Sequence, residues 1–297
     1  MSNEGTTVAC IGLGRMGAGI ARSIQQAGFT IRVYNRTAAK MKPFADQGAT
    51  ASKSPREAAA GADVVVTNLM DDASMLEAVT GAEGILAGLR SGGIHVDTTT
   101  ISPRCARRLG ELHRANGSRF VAGPVLGRPD VAGRGELRTF LAGDAEAREA
   151  CRPVVDAYTS LVIVLGEDPG VASSMQLAVN YLGMMTVELM GQVFAFGEKS
   201  GISPDVLTLV MGAFFGQPAL QEYAKLIRSR NFGDPGFTLS GALKDVELML
   251  QAAGDTRAPL PYGSILRDKL LTAMTRGMGD LDWAAVSEIS RIQAGLA

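Results

Sequence analysis

An α/β domain on a parallel sheet, followed by an all-helical domain, is what this sequence predicts, from three observations. Short β-branched runs alternate with alanine-rich helical stretches through about residue 165. A glycine-rich turn follows the first of those runs, and no convincing strand appears after about Asp168. Strand–helix–strand alternation calls for a parallel sheet with helices on both faces. The expected boundaries are 1–165 for the first domain and 166–297 for the second.

The strand candidates, in order, are Thr7–Ile11, Thr30–Tyr34, Asp63–Thr67, Ile94–Thr98, Leu137–Ala142 and Leu161–Leu165. Between the first two, Ile20, Ile24 and Ala27 recur at helical spacing and Gly28 supplies the stop. The second half reads as helices punctuated by Gly201, Pro204, Pro218, the Gly233–Pro235 turn and Pro259–Pro261. Val171 to Gly197 runs without proline and with Glu188 as its formal charge. An apolar run of roughly 20 residues is long enough to span a bilayer. Gln176, Asn180, Glu188 and Gln192 interrupt this one, which favours a helix buried in protein. A small helical domain cannot cover it alone, so a homodimer with the long helix at its interface is expected. The methionines between Met175 and Met211 are expected to fill core and pocket gaps.

Composition excludes several classes. The chain has 297 residues, 46% hydrophobic and 20% charged, with a formal net charge of −1. Its basic residues are dispersed, so no nucleic-acid partner and no membrane surface is expected. Cys10, Cys105 and Cys151 lie far apart and form no CxxC pair, so neither a metal site nor a disulfide framework is predicted and a cytoplasmic location fits. Met1–Glu4 lack the basic segment and apolar core of a targeting signal.

Gly12-Leu13-Gly14-Arg15-Met16-Gly17 is a GxGxxG placed after a strand and opening a helix. The first glycine permits the tight turn, the second lets backbone approach a pyrophosphate, and the third allows close helix–strand packing. With a second strand at Thr30 the segment reads as a dinucleotide site in a Rossmann domain. An NAD site places an acid at the end of the second strand. This chain has Asn35-Arg36-Thr37 there and Lys40 one turn later. Arg36 can pair bidentately with a 2′-phosphate, so NADPH is the expected cofactor. Asn68-Leu69-Met70 and Thr99 follow other strand ends, at the sheet edge where such folds bind ligands.

These residues resemble the β-hydroxyacid dehydrogenase superfamily, which includes 3-hydroxyisobutyrate dehydrogenases and imine reductases. The resemblance continues through Asp97-Thr98-Thr99-Thr100-Ile101-Ser102-Pro103, Gly123–Gly135, Gly166–Asn180, and Phe237 followed by Lys244-Asp245. It implies a Rossmann domain joined by a long helix to a helical domain, a dimer, and an active site in the interdomain cleft. It implies that Thr99 lies beside the nicotinamide ring and that Asn180, Lys244 and Asp245 belong to the catalytic set, with Lys244 also near the cofactor.

Two departures bear on the chemistry. The resemblance puts a catalytic lysine four residues before the asparagine, where this chain has Gln176 before Asn180. A lysine there exchanges a proton with the carbonyl or alcohol oxygen, whereas a glutamine amide hydrogen-bonds without titrating. Where the family has Ser-Gly-Gly for a substrate carboxylate, this chain has Leu126-Gly127-Arg128, and Arg128 either clamps an anion or points to solvent. The Gly166–Ala172 entry to the long helix and the Asn35–Lys40 segment resemble imine reductases, while Lys244-Asp245 resembles hydroxyacid dehydrogenases.

A protonated imine needs orientation and a dry site more than a strong acid, which suits Gln176. The first expectation is therefore an NADPH-dependent, imine-reductase-like enzyme acting on a small molecule. A 3-hydroxyacid or semialdehyde oxidoreductase with Tyr181, Lys244 or Asp245 as proton source is the second, and a non-catalytic NADPH-binding scaffold the third. His95 and His113 are expected to be structural. Phe214 and Phe215 either line the substrate site or pack.

Overall fold

The computed structural model describes residues 5–199, 201–216, 218–256 and 260–296. Met1–Glu4, the Gln192 side chain and Pro259 lie outside them. Two compact units, Met1–Gln176 and Leu177–Ala297, divide the chain.

In the first unit nine strands form one sheet: β1 (Thr7–Ile11), β2 (Thr30–Tyr34), β3 (Thr50–Ala51), β4 (Val64–Thr67), β5 (Ile94–Asp97), β6 (Arg119–Ala122), β7 (Val125–Leu126), β8 (Leu137–Gly143) and β9 (Thr159–Val164). Its helices are α1 (Arg15–Gln26), α2 (Lys42–Ala45), α3 (Pro55–Ala59), α4 (Asp72–Thr80), α5 (Ile85–Gly88), α6 (Pro103–Ala115), α7 (Pro129–Ala132) and α8 (Ala145–Asp156). The strand order is β3-β2-β1-β4-β5-β6-β8-β7, with β9 on β8. The order reverses between β1 and β4, which opens a crevice at their carboxyl ends.

The sheet is not parallel throughout, a correction to the sequence expectation. From β3 to β6 every pair is parallel, but β8 runs antiparallel to β6 and β7, and parallel to β9. A parallel return needs a crossover, usually helical, of a dozen or more residues. Between β6 and β8, residues 123–136 are long enough for a crossover but are taken up by β7 and the one-turn α7 in place of a crossover helix, and the chain doubles back. Gly143 makes the close approach to β6 possible: a Cβ there would sit 2.7 Å from the Phe120 carbonyl oxygen. Two expected strands stop early, at Asp97 rather than Thr98 and at Val164 rather than Leu165, and the last begins earlier, at Thr159.

Ile20 and Ile24 of α1 are buried against the sheet as their spacing predicted. Each contributes roughly 1.5–3 kcal/mol by leaving water. Gly28, at φ +87°, follows the helix end.

The helix α9 (Pro169–Lys199) begins in the first unit and continues into the second. It is followed by α10 (Pro204–Phe215), α11 (Pro218–Ser229), α12 (Leu239–Thr256), α13 (Pro261–Thr275) and α14 (Val286–Gln293). Met184, Val187, Met190 and Phe194 of α9 share a core with Leu266, Leu270, Trp283 and Ile289. Glu188 is buried in this unit and ion-paired with Lys269, which also donates to Ser290 Oγ. Among the described residues no helix is long and apolar enough to cross a membrane.

Candidate functional site

The glycine turn after β1 is built by close backbone contacts. Gly12, at φ +93°, donates its N–H to the Tyr34 carbonyl at 2.9 Å. A Cβ on Gly12 would lie 2.2 Å from Asn68 O, and one on Gly17 would lie 2.0 Å from Gly12 O. Gly14 differs: no atom stands within 4 Å of where its Cβ would be. It caps α1 without a side-chain hydrogen bond, at the helix N-terminus, whose first-turn amides and dipole favour an anion. These features fit a pyrophosphate.

The flanking side chains divide by role. Leu13 is buried and Met16 half-buried, both in the core beneath the turn, while Arg15 is exposed. Asn35 holds backbone with both ends of its amide: Oδ1 accepts from Leu13 N at 2.9 Å, and Nδ2 donates to Thr37 O at 3.1 Å. Arg36, Thr37 and Lys40 are exposed after β2, with no acid among them.

Across the crevice, Asn68 Nδ2 donates to Thr98 Oγ1 at 3.0 Å and Leu69 N to Thr99 Oγ1 at 2.9 Å. These bonds tie the ends of β4 and β5 into one edge, with Met70 exposed beside it. Thr99 is buried, and its N–H donates to Asp97 Oδ1 at 2.9 Å. Burial pushes the Asp97 carboxyl up to about 7 against the opposing pull of its bonds to Thr99 and Thr67. Asp97 was legible only as part of a motif; its link to Thr67 follows from their being register partners on β5 and β4.

Gln176 is 4% exposed, and its Nε2 donates to the Val125 carbonyl at 3.1 Å. The side chain placed at the expected lysine position therefore fastens the segment that continues into Leu126, Gly127 and Arg128. Sequence reasoning missed this partner, because a backbone carbonyl leaves no mark in side-chain identity. Leu126 is half-buried, and Gly127 is exposed at φ +141°. Arg128 is half-buried, with Nε 3.8 Å from Asp130 Oδ1. Asp168 sets the entry to α9: it accepts from Gly170 N at 2.9 Å and takes a two-pronged bond from Arg107 Nε and Nη2. Those bonds hold its carboxyl below the usual aspartate range.

Within the second unit Asn180, Lys244 and Asp245 come together. Asn180 Nδ2 donates to Asp245 Oδ2 at 3.1 Å, and Lys244 Nζ stands 2.6 Å from Asp245 Oδ1. Asp245 is buried, which raises its carboxyl, while Lys244 and then Asn180 pull it back. Tyr181 is half-buried against this unit's core, as is Phe215, whereas Phe214 is 79% exposed.

Comparison with known proteins gives this geometry a context. Residues 7–166 match the family model for the NAD-binding domain of 6-phosphogluconate dehydrogenase. Residues 170–289 match the model described as NAD-binding of NADP-dependent 3-hydroxyisobutyrate dehydrogenase. Uncharacterized oxidoreductase YfjR of Bacillus subtilis is 38% identical over 94% of this chain and 98% of its own. The 3-hydroxyisobutyrate dehydrogenase of Salmonella typhimurium superposes with a TM-score of 0.88 at 25% identity, covering 96% of this chain and 99% of that one. An imine reductase from Myxococcus stipitatus shares the fold at TM-score 0.66 and 24% identity, over 96% and 99% of the two chains.

Proposed function

The chain belongs to the β-hydroxyacid dehydrogenase superfamily and is a nicotinamide-dependent oxidoreductase, and from that premise we propose an NADPH-dependent reductase acting on the C=N bond of small imines. The observation that carries this reading is Gln176, a buried amide donating to the Val125 carbonyl. A hydride acceptor that arrives protonated needs no acid at that position. In this reading NADPH supplies the hydride. Gly12, Gly14 and Gly17 with the α1 amides hold its pyrophosphate, and Arg36 with Thr37 and Lys40 holds the 2′-phosphate. Thr99, Asn68, Leu69 and Met70 border the nucleotide at the sheet edge, and residues 1–165 form the nucleotide domain.

A second reading has its own support. The Asn180–Asp245–Lys244 cluster, with Asp245 buried and its two partners half-buried, is the source of the proton that carbonyl reduction requires in this version, with Arg128 as a partner for a substrate carboxylate. That version makes the protein a semialdehyde or 3-hydroxyacid reductase. NADPH consumption against cyclic imines, semialdehydes and keto acids separates the two, run on the parent and on Gln176→Lys. Imine turnover by the parent, with carbonyl turnover gained only in the lysine variant, supports the first. Carbonyl turnover by the parent that is lost in Lys244→Met supports the second. NADPH binding with no turnover of either class overturns both in favour of a binding scaffold.

The reading includes a cytoplasmic homodimer. Val171, Met175, Leu182, Leu189 and Val193 of α9 are each at least 38% exposed. At 100° per residue they fall within about 40° of one another, a continuous apolar stripe. A second copy of this helix would cover it. Leu189→Glu should then halve the mass measured by light scattering.

A further inference from the structure

The chain contains two histidines, and both are wholly buried in the first unit. His95 and Asp97 lie two apart on β5 and so point to one face of the sheet. Thr67, the register partner of Asp97, lies beside it, and α6 brings His113 against the same face. Phe120 of β6 packs on both rings, with centroids 5.3 and 5.7 Å away.

The polar atoms form a continuous chain. Asp97 Oδ1 is 2.9 Å from Thr67 Oγ1, which is 2.8 Å from His95 Nε2. His95 Nδ1 is 2.9 Å from His113 Nε2, and His113 Nδ1 is 2.9 Å from Ser118 Oγ. Ser118 Oγ also lies 3.2 Å from the His113 carbonyl oxygen.

A hydroxyl has one proton to donate and a neutral imidazole one N–H, so the chain can be directed in two ways. When Asp97 is ionised, Thr67 donates to it and His95 Nε2–H donates to Thr67. His113 Nε2–H then donates to His95 Nδ1, and Ser118 donates to His113 Nδ1. When Asp97 carries a proton, it donates to Thr67 and every link reverses. Both rings become Nδ1–H tautomers, and Ser118 turns its hydroxyl to the His113 carbonyl. The heavy atoms stay in place; the two arrangements differ by one proton and by the direction of four bonds.

We propose that Thr67, His95, His113 and Ser118 form a proton-responsive relay that accommodates both states of Asp97 and so positions the Thr99 turn at the carboxyl edge of the sheet. His95 and His113 are positioning residues in it. They act through Asp97, whose Oδ1 receives the Thr99 N–H in both states, strongly as a carboxylate and weakly as an acid. Asp97 titrates near neutrality, pushed up to about 7 by burial. Burial keeps both rings neutral there, with His113 brought down to about 4 and His95 held well below the ordinary range.

The other groups facing the relay are Asp72 of α4, which raises Asp97, Cys105 of α6, and the buried Tyr158. Asp72 accepts from Ser102 N and Oγ at 2.8 and 2.5 Å, and Arg104 and Arg108 of α6 act on Cys105. The relay's bearing on a nicotinamide rests on the function proposed above; its existence does not.

With two histidines, the imidazole nitrogens of the full-length chain can be followed by long-range proton–nitrogen NMR from pH 5.5 to 8.5. The expected result is two neutral rings that pass together from the Nδ1–H to the Nε2–H tautomer as pH rises. They should share one midpoint with a downfield shift of the Thr99 amide proton. Asp97→Asn should abolish the transition. Thr67→Val, which cuts the chain, should freeze the histidines while the Thr99 amide still titrates. One tautomer at every pH, separate midpoints for the two rings, imidazolium in this range, or a transition that persists in Asp97→Asn would each overturn the relay. Failure to bind NADPH would instead overturn the proposed function and leave the relay standing.

Discussion

Replacing Gln176 tests the link between α9 and the segment after β6. Leucine at 176 keeps much of the volume and removes the Nε2 donor, leaving the Val125 carbonyl without the bond it has at 3.1 Å. Val125 is 8% exposed, so water cannot substitute freely. An unsatisfied buried acceptor costs about 1–3 kcal/mol. For a cooperative unit the size of Met1–Gln176, each kcal/mol moves the midpoint by roughly 2–4 °C, giving a fall of about 2–12 °C on that scale. Glutamate at 176 sets an acceptor against an acceptor in a site 4% exposed. Its folded carboxyl pKa is then raised above the unfolded value, so stability is lost as pH rises beyond about 4.3, by about 1.4 kcal/mol per unit up to the folded pKa. Thermal scans at pH 5 and pH 8 check both: the leucine deficit should be the same at each, and the glutamate deficit larger at pH 8. A leucine variant melting within about 1 °C of the parent would refute the argument that this amide holds the Val125 carbonyl.

Gly14 and Gly17 should respond differently to alanine. Gly17→Ala drives a Cβ to 2.0 Å from backbone and should lower both the melting temperature and NADPH binding. Gly14→Ala meets no protein atom within 4 Å, so it should melt like the parent while fluorescence titration shows weakened binding. Removing the Arg36 guanidinium forfeits a charge-assisted pair worth about 1.5–3 kcal/mol. Arg36→Ala should thus cut the NADPH-over-NADH ratio of kcat/KM by roughly 10- to 100-fold. The buried titratable groups predict opposed pH trends. His113, brought down to about 4, contributes stability present above about pH 6.5 and lost as pH falls toward 4. Asp97, pushed up to about 7, holds a proton in the fold that the unfolded chain releases, so its contribution declines as pH rises from about 4 to 7. Urea midpoints measured from pH 4.5 to 8 should lose that decline in Asp97→Asn.

What the sequence made legible follows from periodicity and backbone demand. The β1–turn–α1–β2 unit was readable because Gly12 and Gly17 occupy positions no side chain fits, and because Ile20 and Ile24 repeat at helical spacing. Three strands were not readable. Thr50–Ala51 is exposed, and Val125–Leu126 is two residues long, so neither gives a periodic signal. Arg119–Ala122 is four residues, opens on a charged side chain and begins two residues after the Asn116–Gly117 turn. The antiparallel turn of β8 depends on its connection from β6 forming the short β7 and the one-turn α7 instead of a crossover helix, elements too short to leave a periodic pattern. At the candidate site, Gln176, Asn180, Lys244 and Asp245 were named from a resemblance. Their partners were not, since the bond from Gln176 to Val125 bridges 51 positions. The histidines were read as structural, but their linkage through Thr67 to Asp97 emerges only when adjacent strands are put in register.

The amide of Asn35 bears on how nucleotide selectivity can change in this chain. It serves as acceptor for Leu13 N and donor for Thr37 O at once, so the residue that precedes Arg36 is already committed to the shape of both loops. An aspartate at 35, the simplest way to introduce a ribose-binding acid, keeps the acceptor and loses the donor, and the turn carrying Arg36 is loosened in the same step. Position 36 carries no such double commitment. A lineage, or an engineer, moving this protein toward NADH therefore has an open route through 36, and a route through 35 only if Thr37 changes with it.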